Sequence, residues 1–168
     1  MRRTNTAGYT LIELLLYVSI AGMLLVALST FFGLSIEARV KTQTITEVEQ
    51  QGSLAIDYIQ QTLRNATSIT SPAAGVAASS LTVVVPTVSL SPTIFNLSGT
   101  TLQVKEGTAT AVALTNSKVS VSNLAFTNVT RSGTHGALRI SFTLDRVNST
   151  GRNEYSYSKT FTTTVSIR

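Results

Sequence analysis

Cysteine is absent from the sequence, and histidine and proline are scarce, with one and three copies among 168 residues. Without cysteine the chain can form no disulfide bond, no thiolate zinc site and no cysteine nucleophile. Charged residues make up only 12% of the chain, the formal net charge is +5, and the sequence has no block of five or six like charges. Direct nucleic-acid binding is therefore not expected, because phosphate binding needs clustered cations.

Motifs that carry catalysis are also missing. No Gly-x-Ser-x-Gly elbow surrounds a serine, and neither a Walker motif nor a dinucleotide fingerprint is present. His135 lies in a predicted loop, where a single histidine is expected to be solvated. The carboxylates Asp57, Asp145 and Glu154 are too dispersed in sequence to be proposed as a catalytic pair. We expect no enzymatic activity, no cofactor and no metal site.

Charge is absent altogether from residues 14–36, which are almost entirely apolar. Roughly 20 such residues are enough for a helix to cross the hydrocarbon core of a bilayer. Arg2 and Arg3 precede the run and favour retention of the N-terminus in the cytoplasm. We therefore expect a single-pass protein of the cytoplasmic (inner) membrane, with its C-terminal part outside.

The segment from residue 7 to residue 13, AGYTLIE, joins the basic start of the chain to this apolar run. Glu13 is the only charged residue between Tyr9 and the end of the run at Ile36, and a carboxylate at such a position is costly and suggests a functional site. Ordinary secretory signals are cleaved after their apolar region. Here the plausible cleavage site, Gly8–Tyr9, precedes it, so the hydrophobic helix would remain on the mature protein.

This arrangement resembles the prepilin leader of type IV pilins and of the pseudopilins of type II secretion. Residues 59–66 (IQQTLRNA) and 161–168 (FTTTVSIR) also resemble J-type pseudopilins and W-type minor pilins. The resemblance implies that a prepilin peptidase cleaves after Gly8 and methylates the amine of Tyr9, where the family most often has phenylalanine. Many pilins carry a C-terminal disulfide loop, which this chain cannot form. Gly8 would alternatively be only a linker glycine.

The resemblance also implies a role for Glu13, the fifth residue of the chain that cleavage would leave. The amine of Tyr9 and the Glu13 carboxylate would lie about 6 Å apart along one helix. Staggered neighbours in a filament would bring the amine of one subunit to the carboxylate of another, removing part of the cost of burying each charge. Alternatively, Glu13 extends to the lipid head groups. Thr10 would assist by a hydrogen bond in assembly, or would only cap the helix.

The sequence predicts an α+β fold, in which a long N-terminal helix packs on a mostly antiparallel β-sheet. Between Tyr9 and Ile69 there is no proline, and the second half of this stretch has the spacing of an amphipathic helix. Four segments follow: a leader (1–8), a transmembrane and assembly half-helix (9–36), an amphipathic half-helix (37–70) and a β-rich head (71–168). The predicted buried helix positions are Ile45, Val48, Ala55, Ile59, Leu63 and Ala66.

Strands are predicted where β-branched and alternating apolar residues occur, and the last two are predicted to form a hairpin. Leu138, Ile140, Phe142 and Leu144 alternate with polar residues in the first of them. Odd-numbered residues from Tyr155 to Ile167 do the same in the second. The predicted strands are 81–85, 93–97, 101–104, 111–114, 119–126, 138–144 and 155–167.

Three hypotheses for function follow. The first is a minor pilin or pseudopilin, a structural subunit of an extracytoplasmic filament; its partners would be other pilin-like subunits, the prepilin peptidase and the inner-membrane platform of the assembly machine. The second is a tip-exposed module for adhesion, binding or DNA uptake, mounted on such a filament. The third is an anchored domain that never assembles.

Overall fold

The structure, a computed structural model that describes Gly8 and residues 10–167, contains one long α-helix followed by nine β-strands. The helix, α1, runs from Leu11 to Arg64. The strands are β1 (Ser68–Ser71), β2 (Ala77–Ala78), β3 (Leu81–Val84), β4 (Thr93–Ser98), β5 (Thr101–Glu106), β6 (Val112–Ala113), β7 (Val119–Asn128), β8 (Ala137–Arg146) and β9 (Ser158–Ser166).

The chain divides into two compact units, Met1–Val40 and Lys41–Arg168. In the first unit, the large apolar side chains of α1 between Leu11 and Ile36 are 49–81% exposed. The second unit contains the rest of α1, residues 41–64, and all nine strands.

The strands of the second unit form two antiparallel sheets. One has five strands in the order β1-β3-β4-β5-β6, and the other has four in the order β2-β7-β8-β9. A hydrogen bond of 2.8 Å from the backbone N–H of Val121 to the carbonyl of Thr100 joins β7 to the turn before β5. The α+β class is confirmed, whereas the sequence pattern indicated a single sheet, because period two does not reveal which strands pair.

The predicted C-terminal hairpin is present as β8 and β9. Leu138 lies opposite Val165, and Phe142 lies opposite Phe161. The odd residues of β9 face the core and its even residues are exposed, as predicted. Tyr155 lies outside the strand, in a 3-10 turn, and β9 begins at Ser158.

One hydrophobic core holds the second unit together. Its helix contribution comes from Val48, Ala55, Ile59 and Leu63, which are at most 1% exposed. The predicted Ile45 is only half-buried, because the inward-facing positions of this part of α1 are Thr44 and Gly52. The fully buried aromatic residues Phe95, Phe126 and Phe142 come from the two sheets.

The helix ends at Arg64, whereas the sequence pattern extends it to about residue 70. The N–H of Ala66 bonds to the carbonyl of Leu63, which tightens the last turn. The next residues form β1, which pairs with β3 and was not predicted. β2, only two residues long, was not predicted either.

Candidate functional site

The first turn of α1 contains two of the residues singled out in the sequence, Thr10 and Glu13. Thr10 immediately precedes the helix, and its Oγ1 accepts a hydrogen bond of 3.3 Å from the N–H of Glu13. Its carbonyl accepts further bonds of 3.1 Å from the N–H groups of Glu13 and Leu14. Thr10 is therefore an N-cap, with the Thr-x-x-Glu spacing of a capping box.

Glu13 is half-buried, whereas the residues on both sides of it are exposed. Within Gly8 and residues 10–167 its carboxylate forms no ion pair. A negative charge in the first turn interacts favourably with the helix dipole. This interaction offsets part of the cost of placing the Glu13 carboxylate beside apolar residues. The oxygens of this carboxylate can accept hydrogen bonds from a positive group of another chain.

Gly8 is exposed, and a Cβ added to it would meet no atom within 4 Å. The backbone at this residue is thus open to an approaching protein. Tyr9, the predicted methylation site and the other side of the predicted cleavage site, lies outside the described residues, as do residues 1–7 of the predicted leader.

The apolar part of α1 is long and apolar enough, by length and composition, to cross a membrane. Two of its hydroxyl side chains bond to the carbonyls of their own helix. Ser19 Oγ donates to the carbonyl of Leu15 at 2.9 Å, and Thr30 Oγ1 donates to that of Ala27 at 2.9 Å. Because these hydroxyls are satisfied internally, they do not oppose burial in lipid or between helices. Gly22 and Gly33 leave open space on the helix surface.

The second unit holds polar clusters that the sequence analysis did not identify. Glu47 forms ion pairs with Arg146 at 2.7 Å and with Lys118 at 3.3 Å. Glu49 pairs with Lys159 at 2.7 Å. The hydrogen bond and charge of Lys159 lower the pKa of Glu49, and the hydrogen bond to Glu49 raises the pKa of Lys159. The two glutamates flank the buried Val48, a spacing that places each at one edge of the helix–sheet contact.

A cavity of about 160 Å³ lies beside Tyr58 and Glu106. The hydroxyl of Tyr58 donates to Glu106 Oε1 at 2.8 Å. Burial, and then the bond to Glu106, raise the pKa of Tyr58 above its ordinary value. The other lining residues are mainly small or apolar: Val104, Ala109, Thr110, Val112 and Leu114.

The remaining candidates are not brought together. His135 is exposed in the loop between β7 and β8. Asp145 accepts a hydrogen bond from Ser122 Oγ at 3.0 Å, and Glu154 pairs with Arg152. In the part of the chain that the structure describes, no three His, Asp or Glu side chains are grouped to hold a metal ion.

No protein-family model matches the chain, and neither a curated protein nor a solved structure is significantly similar to it.

Proposed function

We propose that the chain is a structural subunit, a minor pilin or pseudopilin, of a type IV pilus or type II secretion-like filament. Prepilin peptidase would cleave after Gly8 and methylate the amine of Tyr9. The subunit would wait in the cytoplasmic membrane, with its C-terminal part outside, until the inner-membrane platform adds it to other pilin-like subunits.

One observation carries this proposal. The first unit exposes a long apolar helix surface that has a single half-buried carboxylate, Glu13, in its first turn and no cation paired with it among the described residues. An apolar surface of this size must be covered by lipid or by other helices. A carboxylate at its edge is stabilised if a neighbouring subunit supplies a positive charge, and the amine of Tyr9 freed by cleavage is such a charge.

The assembly role is tested by replacing Glu13 with glutamine, which keeps the size of the side chain and removes its charge. The matched control is Glu37→Gln, at the other end of the apolar run. Both chains are produced in cells that carry the filament machinery. We expect Glu13→Gln to lower recovery in sheared filaments by about tenfold or more, the factor that roughly 1.4 kcal/mol of lost pairing gives. Glu37→Gln should assemble normally.

Membrane insertion is measured in the same cells by alkaline extraction, so that assembly and anchoring are separated. Both variants should remain in the membrane fraction. Normal filament recovery for Glu13→Gln would overturn the charge-pairing role. The N-terminal peptide of the mature chain, identified by mass spectrometry, tests processing: methylated Tyr9 at the N-terminus supports the proposal, and retention of residues 1–8 in the presence of the peptidase favours a simple anchored domain.

A binding module displayed by such a filament is the second candidate, and the loop between β7 and β8 favours it. Residues 131–135 of this loop are all exposed. Thr134 bonds through its N–H and Oγ1 to the carbonyl of Arg131, so the loop is held by its own contacts. Substituting Arg131 and His135 with alanine should abolish attachment to the target while filament levels stay normal; unchanged attachment would reject this loop as the binding element.

A further inference from the structure

The loop formed by residues 147–156 is fastened to α1 at the start of the second unit. Lys41 Nζ donates to the carbonyl of Asn153 at 3.1 Å and to that of Ser156 at 2.5 Å. The base of the loop is closed by a bond of 2.9 Å from the N–H of Arg146 to the carbonyl of Tyr157. The N–H of Val147 bonds to the carbonyl of Lys118, also at 2.9 Å. We call Lys41, Lys118 and loop 147–156 the basal face.

Ion pairs at the basal face cover their carboxylates and expose their cations. The side chain of Lys118 is 62% exposed, whereas that of its partner Glu47 is 24% exposed. The side chain of Arg152 is 58% exposed, whereas that of its partner Glu154 is 12% exposed. The surface that solvent meets is therefore cationic, although each cation has a partner.

The other charges near this face do not reverse its sign. The side chain of Arg146 is 16% exposed and shares Glu47 with Lys118. Lys159 and Glu49 are exposed to similar extents and cancel one another. Asp145 is half-buried and accepts a hydrogen bond from Ser122.

Covalent connection limits how far Lys41 can lie from Ile36, the last residue of the apolar run. Lys41 follows Ile36 by five residues, and five residues of fully extended chain span at most about 18 Å. As an α-helix they span about 7.5 Å, which is close to the Debye length of about 8 Å at physiological salt. When residues 14–36 span a bilayer, Lys41 therefore remains within about 18 Å of the end of the span.

We propose that the basal face binds the anionic head groups of phospholipids at the membrane surface. Lys118 and Arg152 contact the lipid phosphates, and Arg152 is suited to bidentate contact with a phosphate group. Val147, which is 48% exposed, supplies an apolar contact between them. Each basic residue near an anionic surface raises the binding constant about fivefold. So weak an attraction is effective here because the membrane-spanning helix raises the local concentration of the basal face at the lipid surface. The head is thereby held on the bilayer before assembly lifts it away.

This inference rests on the membrane insertion contained in the proposed function, so the experiment measures the two separately. The natural chain has no cysteine, which allows a single fluorophore to be placed on the exposed loop through Ser149→Cys. The full chain is reconstituted in vesicles of phosphatidylcholine, with or without about a third phosphatidylglycerol. A lipid that bears a quencher on its head group reports how close the loop lies to the surface.

We expect head-group quenching to be about twofold or more stronger in the anionic vesicles and to fall to the neutral-vesicle value at about 0.5 M salt. Lys118→Gln combined with Arg152→Gln should remove the difference between the two vesicle types. The matched control is Lys105→Gln combined with Arg139→Gln, two exposed cations outside the basal face. It should behave as the natural chain does.

Insertion is scored independently by resistance of the reconstituted chain to alkaline extraction. A chain that fails to insert overturns the membrane anchoring on which both proposals depend. A chain that inserts but shows equal quenching in the two vesicle types overturns the inference alone. Equal losses in the basal and control variants would also overturn it, because the attraction would then reflect net charge rather than this face.

Discussion

The ring of Phe161 in β9 packs directly against the backbone of α1 at Gly52. A Cβ added to Gly52 would overlap the Cζ, Cε1 and Cε2 atoms of that ring. Phe161 also stacks on Phe142, with ring centroids 5.5 Å apart. The absence of a side chain at Gly52 thus sets how closely the helix approaches the four-stranded sheet.

Gly52→Ala should destabilise the protein, although replacing glycine by alanine within a helix ordinarily stabilises it by about 1 kcal/mol. Here the new methyl group displaces the Phe161 ring, and such overpacking costs about 1–3 kcal/mol. The measurement is denaturant unfolding of the full chain in detergent micelles. Ser53→Ala, at the exposed neighbouring position, is the control and should change stability by less than about 0.5 kcal/mol.

A second variant distinguishes overlap from a general intolerance of the site. Gly52→Ala combined with Phe161→Leu removes the ring atoms that the new Cβ would meet. This double variant should lose less stability than the sum of the two single changes. Additive losses would contradict the close contact between Gly52 and Phe161.

The two glutamates that flank Val48 should differ strongly in their effect on stability. Glu47 forms an ion pair with Arg146, whose side chain is only 16% exposed. The Nε of Arg146 is buried and has no hydrogen-bond partner in the described part of the chain. Glu47→Ala leaves that guanidinium poorly compensated and should cost about 2–3 kcal/mol. Glu49 and Lys159 are both nearly half-exposed, so solvent screens their pair and Glu49→Ala should lower stability much less than Glu47→Ala does.

Unfolding midpoints of the two variants, measured side by side, test this difference. Alanine is favourable in helices at both positions, so propensity does not account for a gap between them. Lys159→Ala is a further control and should resemble Glu49→Ala. Equal losses of stability in Glu47→Ala and Glu49→Ala would show that the burial of Arg146 does not determine how much its ion pair contributes to stability.

The sequence was sufficient to predict the long helix, its apolar half and most of the strands, because each has a local periodicity. The buried spacing of Val48, Ala55, Ile59 and Leu63 is a property of neighbouring residues on one helix. The division into two sheets and the pairing of Glu47 with Arg146 depend on contacts between residues far apart in sequence. The need for glycine at position 52 also depends on a distant residue, because it follows from the position of the Phe161 ring.

The features of the candidate site also fall into two groups, those set by neighbouring residues and those set by residues far apart in sequence or on another chain. The capping interaction of Thr10 with Glu13 follows from their spacing of three residues and is present in the structure. Pairing of Glu13 with another subunit depends on a partner chain, so it stays a prediction. The basal face was not predicted, because Lys41, Lys118 and Arg152 are scattered along the sequence.

Tyr58 should ionise at a higher pH than an ordinary tyrosine in the folded chain. Its pKa is raised, first by burial and then by the hydrogen bond to Glu106, and both favour the neutral phenol. Because the folded pKa lies above the unfolded one, the stabilisation is complete below pH 10 and is lost as pH rises through the folded pKa. Absorbance at about 295 nm follows phenolate formation above the reference pKa of Tyr, about 10.

Tyr58→Phe identifies the residue in that titration. It should remove the component that ionises late, above the ordinary range of a tyrosine, and leave the rest of the curve unchanged. Tyr155→Phe is the control and should leave the late component in place. A late component that persists in Tyr58→Phe would contradict the assignment.

The loop after β5 depends on Gly107 for two separate reasons. Its φ of +53° lies in the left-handed region, and a Cβ there would also overlap the carbonyl oxygen of Ser89. Gly99, in the turn between β4 and β5, has a similar φ of +61° but open space around it.

Gly99→Ala should cost about 1–2 kcal/mol for the backbone alone, and Gly107→Ala should cost about 1–3 kcal/mol more, the usual cost of overpacking. Because Gly107 also donates its N–H to the carbonyl of Pro92 at 3.0 Å, the loop cannot move aside without losing that bond. Equal unfolding midpoints for the two variants would mean that the loop yields around Ser89 and that only the backbone conformation requires glycine.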